Sequence, residues 1–323
     1  MIEQINFSEY SQQFEIYFSR FDKPTIFNSP SFLRNYFQNE KDYLILKYIG
    51  DDLNFAFAVF TKDFDGSKQK IIYESHKFAP YASITSTSSD VSFLKRLYST
   101  LLNYLKNIEP ENNYEVRFRE PPSAYFPTVS SREWILWSEN GLQTSAYFGR
   151  YFKSKADIKL NRNRVRNLLK INSSKIEIRQ VDQIENDFYE IIKKNRMDRH
   201  NVKLTHSILD LHKIEINMKN FVSYLVLYHN DHACVVMVLF EDYCEIILQY
   251  LAGTDCSYEN NLQDYLMNYY LLNIYSGEKS FVLGTSTDPN NSHRTLNIGL
   301  DKYKQSWGAK PYICYRYTFT NQI

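Results

Sequence analysis

Lysine and arginine crowd one part of this sequence. Between Arg150 and Arg179 there are ten of them against Asp157 and Glu177, a net +8 within 30 residues of a 323-residue chain whose total charge is +1. Arg162 and Arg166 stand one helical turn apart and project from one face, with Arg164 elsewhere on the helix. Such a face can hold phosphates; the competing reading is a solvated helix surface. Lys304 can stabilise a developing oxyanion or bind a phosphate, or it can be solvated beside a buried stripe of Leu296, Leu300, Tyr303 and Trp307. His200 follows Asn195-Arg196 at a helix exit, and histidine is the side chain whose ordinary pKa suits base work near neutrality. Ser286-Thr287-Asp288 follows a strand, where Asp288 or Ser292 can cap the next helix. Neither His206 and His212, six apart, nor the four cysteines (Cys234, Cys244, Cys256, Cys314), which lack a CxxC pair, offer metal-ligand spacing. No metal is implied.

The rest of the chain must position these groups. Hydrophobic residues at 43% and charged residues at 23% describe a globular protein. The near-zero net charge excludes a whole-molecule electrostatic binder of nucleic acid. The amino-terminal stretch has no basic region followed by an apolar one. The longest apolar run, Ala233 to Phe240, falls far short of the roughly 20 residues that cross a bilayer. Cys234 and Cys244 sit in apolar stretches and read as buried thiols. The expectation is a soluble, cytoplasmic protein without membrane insertion.

Periodicity places a short helix from Ser29-Pro30 to Phe37 and strands at Tyr43–Ile49, Phe55–Thr61 and Lys70–Glu74. A helix capped by Asp90, a strand Tyr114–Phe118, a helix at 130–140 and a strand Ala146–Phe152 follow. The second half reads as helices at 154–170, 183–197 and 205–217 with a strand Lys175–Gln180. Strands Phe221–Tyr228, Ala233–Phe240 and Glu245–Ala252, a helix at 261–275, a strand Phe281–Gly284, a helix at 295–307 and a strand Pro311–Phe319 complete it. Each half runs helix, three antiparallel strands, helix, strand, helix, strand. That order predicts two α+β domains, 1–152 and 153–323, without a residue-level repeat.

The closing segment carries a resemblance. Phe281-Val-Leu-Gly284-Thr-Ser286-Thr-Asp288, Leu296-Asn297-Ile-Gly299-Leu300, Tyr303-Lys304 and Trp307-Gly308-Ala309 resemble the final motif of GNAT-like proteins related to the Fem peptidoglycan-bridge transferases. Asn195-Arg196, His200-Asn-Val-Lys-Leu-Thr205-His206-Ser207 and Leu211 resemble that family's segment before the three-strand meander. Phe78-Ala-Pro80-Tyr81-Ala-Ser83 resembles its Pro-Tyr-Gly turn, with Ala82 for the glycine. The specific part spans about residues 160–317.

The resemblance implies two tandem GNAT-like domains, each a mixed, mostly antiparallel sheet flanked by helices. It implies an acyl or aminoacyl transferase of envelope glycans or polysaccharide biosynthesis. Lys304, His200 and Tyr303 would be catalytic. Gln249, Ala252, Gly253 and Thr254 would hold an acyl-CoA co-substrate, though the turn has one glycine displaced and the second missing. Arg162, Arg166, Asn195, Arg196, Tyr250, Ser286 and Asn297 would bind an amino-sugar or nucleotide-sugar acceptor. The alternatives are an aminoacyl-tRNA-dependent Fem-type transferase and a non-catalytic module binding a charged glycan or RNA. Lys153–Asn217 breaks into short helices without sustained heptads. It therefore lacks the long charged arm of many Fem enzymes, which argues against action on a peptidoglycan stem with tRNA.

Overall fold

A computed structural model describes the chain except residues 23, 37, 38, 40, 41, 52, 76–78, 80, 81, 83, 109–112, 123–131, 133, 134, 137–141, 288–294, 322 and 323, and the side chains of 199, 200 and 321. The segments expected at 130–140, at the Pro80-Tyr81 turn and at Asp288–Ser292 therefore fall wholly or mostly outside the described residues. Two compact units emerge: Met1–Tyr147 with Ile313–Ile323, and Phe148–Tyr312. This corrects the expected boundary at 152/153. The last strand belongs to the first unit from Ile313 onward, its residues 316–321 pairing with strand 114–119.

The chain opens with β1 (Ile2–Gln4), α1 (Phe7–Tyr17) and α2 (Pro30–Leu33), followed by β2 (Tyr43–Ile49), β3 (Phe55–Asp65), β4 (Lys70–Ser75) and β5 (Thr85–Ser86). Helix α3 (Val91–Ile108) and β6 (Tyr114–Arg119) come next. Asp90 starts α3 as expected, its carboxylate accepting from the Phe93 N–H at 3.0 Å. Phe93, Leu94, Leu97, Tyr98, Leu101, Leu102 and Leu105 recur every three or four residues and are buried against β2, β3 and β6. Each such side chain contributes about 1.5–3 kcal/mol as an upper bound.

Then come β7 (Gln143–Phe152), α4 (Arg162–Leu168), β8 (Ile176–Val181), α5 (Asn186–His200) and α6 (Ile208–Asn217). The meander is β9 (Val222–His229), β10 (His232–Glu241) and β11 (Glu245–Gly253), followed by α7 (Asp255–Glu259) and α8 (Leu262–Tyr269). Strand β12 (Ser280–Thr285), α9 (Ile298–Gln305) and β13 (Lys310–Asn321) close the chain. Helix α4 is far shorter than expected. Residues before it are drawn extended onto the end of α9, with the Lys159 and Asn161 N–H groups on the carbonyls of Trp307 and Ser306.

In the first unit the strand order is β1-β2-β3-β4-β6-β13; in the second it is β7-β12-β11-β10-β9-β8. Among the described residues each holds one parallel pair, β4 with β6 and β11 with β12. In the second unit Leu262, Leu266 and Met267 of α8 pack on Met237 and Leu239 of β10. Helix α5 lies against β10 and β11. Strand β11 begins with Glu245, fully buried, neither carboxylate oxygen having a hydrogen-bond partner among the described residues. Burial holds its pKa well above the ordinary carboxylate range. Cys234 is buried, but Cys244 is exposed in the β10–β11 turn, contrary to expectation.

Candidate functional site

Strands β11 and β12 run parallel for only three residue pairs, Glu245–Ser280, Ile246–Phe281 and Ile247–Val282. Both continue beyond, β11 to Gly253 and β12 to Thr285, without pairing each other. The divergence begins where β11 carries an extra residue: Leu239 faces Leu248 and Val238 faces Tyr250, leaving Gln249 as a bulge. On the β12 side Gly284 has φ +71°, and a Cβ there would meet no atom within 4 Å. Past these three pairs no pairing joins the two strands among the described residues, and the backbone-edged gap between them is termed the slot.

Helix α5 and the C-terminal half of β11 build a polar cluster beside it. Asn195 donates to the Gly253 carbonyl at 3.1 Å and to the Tyr258 hydroxyl at 2.6 Å. The Tyr250 hydroxyl lies 3.2 Å from His206 Nδ1, and the Tyr189 hydroxyl donates to the His206 carbonyl at 3.2 Å. Tyr250 and His206 are buried, at 6% and 1% exposure. Arg196 lies next to Tyr250. Burial lowers its pKa, and its Nε has no partner among the described residues. A half-buried guanidinium without a carboxylate is the kind of group that an anionic ligand compensates.

The end of β12 is held by buried charge. Lys304 is 5% exposed and donates to the carbonyls of Gly284 and Thr285 at 2.8 and 2.7 Å. Burial pushes its pKa down to about 7, with Asp301 opposing and Arg150 reinforcing the shift. Asp301 receives two bonds from Arg150, at 2.6 and 2.8 Å, which keep its carboxyl low. The alternative of a solvated Lys304 is thus excluded, because its ammonium is buried against the carbonyls at the lip of the slot.

No family model matches this chain. No curated protein matches it either. Solved structures do. A conserved protein of Bacteroides thetaiotaomicron VPI-5482, described as of unknown function, aligns over 98% of this chain and 99% of its own at 13% identity and TM-score 0.59. FemX aligns over 98% and 96% at 11% identity and TM-score 0.58. A tandem GNAT protein from the clavulanic acid biosynthesis pathway aligns over 99% and 98% at 5% identity and TM-score 0.51. The fold is a tandem GNAT fold. The resemblance to the Fem-like branch of GNAT proteins therefore holds at the level of the fold.

A GNAT fold that binds acyl-CoA implies a phosphate cradle in the turn after β11. Here that turn does not fit a pyrophosphate. A Cβ on Gly253 would overlap Ser257 Oγ and Gln263 Nε2, so the glycine is needed for close packing of the chain's own side chains. Ser257 Oγ donates to the Thr254 carbonyl at 2.6 Å and accepts from Gln263 at 2.8 Å. Asp255 and Asp264 already place carboxylates in the first turns of α7 and α8.

Of the expected residues, Asn195, Arg196, Tyr250 and Gly253 come together. Gln249 forms the bulge, Ala252 is buried in β11, and Thr254 precedes α7. Ser286 is fully buried beside Asp301, its N–H on the Phe148 carbonyl. Asn297 is a helix cap, accepting from the Leu300 N–H at 3.0 Å. Tyr303 does not join them. It lies under the Arg164 guanidinium at 4.6 Å, and burial raises its pKa. Arg162 and Arg166 are exposed on α4. The His200 side chain lies outside the described residues. Sequence reasoning missed Tyr189, His206, Tyr258, and the Asp301–Arg150 pair that fixes the slot.

Proposed function

We propose that this chain is an acyltransferase that moves the acyl group of an activated thioester or ester to the amine of an amino sugar or glycan precursor. An amide forms as the bond to the carrier breaks, and the carrier leaves as its protonated thiol or alcohol. The observation that carries this reading is the slot between β11 and β12, where two parallel strands diverge at a bulge beside an open glycine. Backbone N–H groups along such an edge can hold an acyl carbonyl and stabilise the oxyanion that develops on it. Arg196 receives an anionic group of the acceptor, such as a carboxylate or a sugar-linked phosphate. Tyr250 and His206 form the proton path for the attacking amine. Lys304 acts as a positioning residue, holding Gly284 and Thr285 at the lip.

The donor is read first as an acyl-CoA whose acyl end enters the slot. Because the turn after β11 is filled, that donor would keep its phosphates elsewhere. The same filled turn favours a second reading, an aminoacyl-tRNA ester that presents only its aminoacyl end. Products would enter glycan or envelope polysaccharide assembly. The test is to supply labelled acyl-CoAs and aminoacyl-tRNAs separately, each with a panel of amino sugars and nucleotide-sugars, and identify amides by mass spectrometry. Amide from acyl-CoA supports the first reading, and amide from tRNA alone supports the second. Acceptor binding with no amide from either donor returns the chain to a binding module.

A further inference from the structure

Helix α4 is fixed on one side by its single inward cation. Arg164 donates to Ser306 Oγ at 2.7 Å through Nη2, pairs with Asp264, and covers the rings of Tyr303 and Trp307 at 4.6 and 4.9 Å. Asn161 caps the helix, accepting from the Arg164 N–H at 2.8 Å. The opposite face is therefore presented rigidly. Arg162, Val165, Arg166 and Leu169 share it, at spacings of three, four and seven. All four are exposed, Val165 at 41% and Leu169 at 82%.

Lys159, Lys170 and Lys175 are exposed too, and Ile158 to Ile176 contains no acidic residue. Among the described residues, none of the five cations at 159, 162, 166, 170 and 175 pairs with a carboxylate. Arg166 reaches only the neutral Asn163 side chain, at 3.4 Å. Uncompensated cations and water-exposed aliphatic side chains thus occupy one preformed face. A nucleic acid would use the cations but strand the aliphatics, and no aromatic ring lies between Lys153 and Asp187 for a base to stack on. A bilayer bearing anionic headgroups satisfies both, taking the cations at the phosphates and the aliphatics at the acyl boundary. No helix among the described residues is long and apolar enough to cross a membrane, so the contact would be peripheral. We propose that this face of α4 docks the protein on an anionic lipid bilayer.

The experiment is flotation of the full chain with extruded vesicles of phosphatidylcholine alone, or containing about 30% phosphatidylglycerol. It is run at about 50 mM and about 500 mM salt. Binding is expected only to the anionic vesicles, and high salt should release it. Leu169→Asp, and separately Arg162→Glu combined with Arg166→Glu, should each lower partitioning at least about tenfold. Melting temperature should be unchanged in both variants, and Arg166→Lys should bind nearly as well as the parent. Equal binding to neutral vesicles, no binding to anionic vesicles at low salt, or full binding by Leu169→Asp would overturn the proposal. So would retention of an RNA duplex that Leu169→Asp leaves unaltered while vesicles are not bound.

Discussion

Among the described residues the two units each contain one parallel strand pair, and they treat it oppositely. In the first unit β4 pairs with β6 over Ile71–Glu74 and Tyr114–Arg117, close to the whole of β4. Beyond the last pair, the Arg119 N–H donates to Ser75 Oγ at 2.8 Å, and its guanidinium meets Glu74 at 2.8 Å and the Ala79 carbonyl at 3.1 Å. Arg316 adds a second cation to Glu74 at 3.4 Å. In the second unit three pairs are followed by divergence, and the comparable position on β12 is a glycine facing open space. The same order of elements is closed by an ion pair in one place and left open in the other. Topology alone therefore does not make a site; what matters is which side chains follow the last paired residue.

This contrast can be broken at several points. Filling the slot with Gly284→Leu should lower turnover at least about a hundredfold by displacing the acyl group, and it adds strain at a left-handed backbone position. Steady-state kinetics would show it, and a variant with normal turnover would remove the slot from the mechanism. In the first unit, Arg119→Met leaves a buried carboxylate with one cation, which should cost about 2–3 kcal/mol of stability in urea unfolding. Turnover at saturating substrate should be unchanged there. Arg196→Met should raise the Michaelis constant for the anionic substrate about ten- to a hundredfold while sparing turnover, the pattern of lost uniform binding.

Smaller effects come from the two buried ionisable groups of the second unit. The native pKa of Glu245 stands above its unfolded value of 4.5, so the folded state keeps a proton that the unfolded chain releases. Its contribution is present at low pH and lost as pH rises. Glu245→Gln should therefore melt higher at neutral pH, with the difference vanishing below about pH 4.5. Lys304 has the reverse sense. Its native pKa of about 7 lies below the unfolded 10.5, so the unfolded chain binds more protons between those values and stability rises with pH across that window. Lys304→Met should flatten that rise when unfolding is followed at both ends of the window.

Local signals were well represented in the residues themselves. The strands of both meanders appear within a few residues of their expected limits because continuous apolar runs such as Phe55–Phe60 and Cys234–Phe240 are buried on both faces and stop at turn residues. Asp90 caps α3 as its spacing implied, whereas Asn297, expected at the acceptor, caps α9 through the Leu300 N–H. What pattern could not supply were contacts across long separations. Lys304 is buried against the Gly284 and Thr285 carbonyls, and Arg150 bonds Asp301 from 151 residues away, contacts that no helical wheel contains. Arg164 was separable from the Arg162–Arg166 face by spacing alone, but its contacts with Ser306, Asp264, Tyr303 and Trp307 span at least 100 residues and left no local signal. The opening helix α1 went unassigned although Phe7, Tyr10, Phe14 and Tyr17 recur three and four residues apart, with Tyr10 and Phe14 buried. The donor turn was readable only as a displaced glycine; its filling by Ser257 and Gln263 depends on how α7 and α8 fold back.

The return of β13 to the first unit has a consequence for how the chain is made. Strand β6 must wait roughly 200 residues of synthesis before β13 exists, whereas β12, β11, β10, β9 and β8 find their neighbours within Phe148–Tyr312. The pairing from β7 to β8 can be complete while β6 still shows an unpaired edge. On a ribosome the order of maturation would then run against the usual progression from the amino-terminal end. That waiting edge is the stage at which this protein is most exposed to pairing with a neighbouring nascent chain.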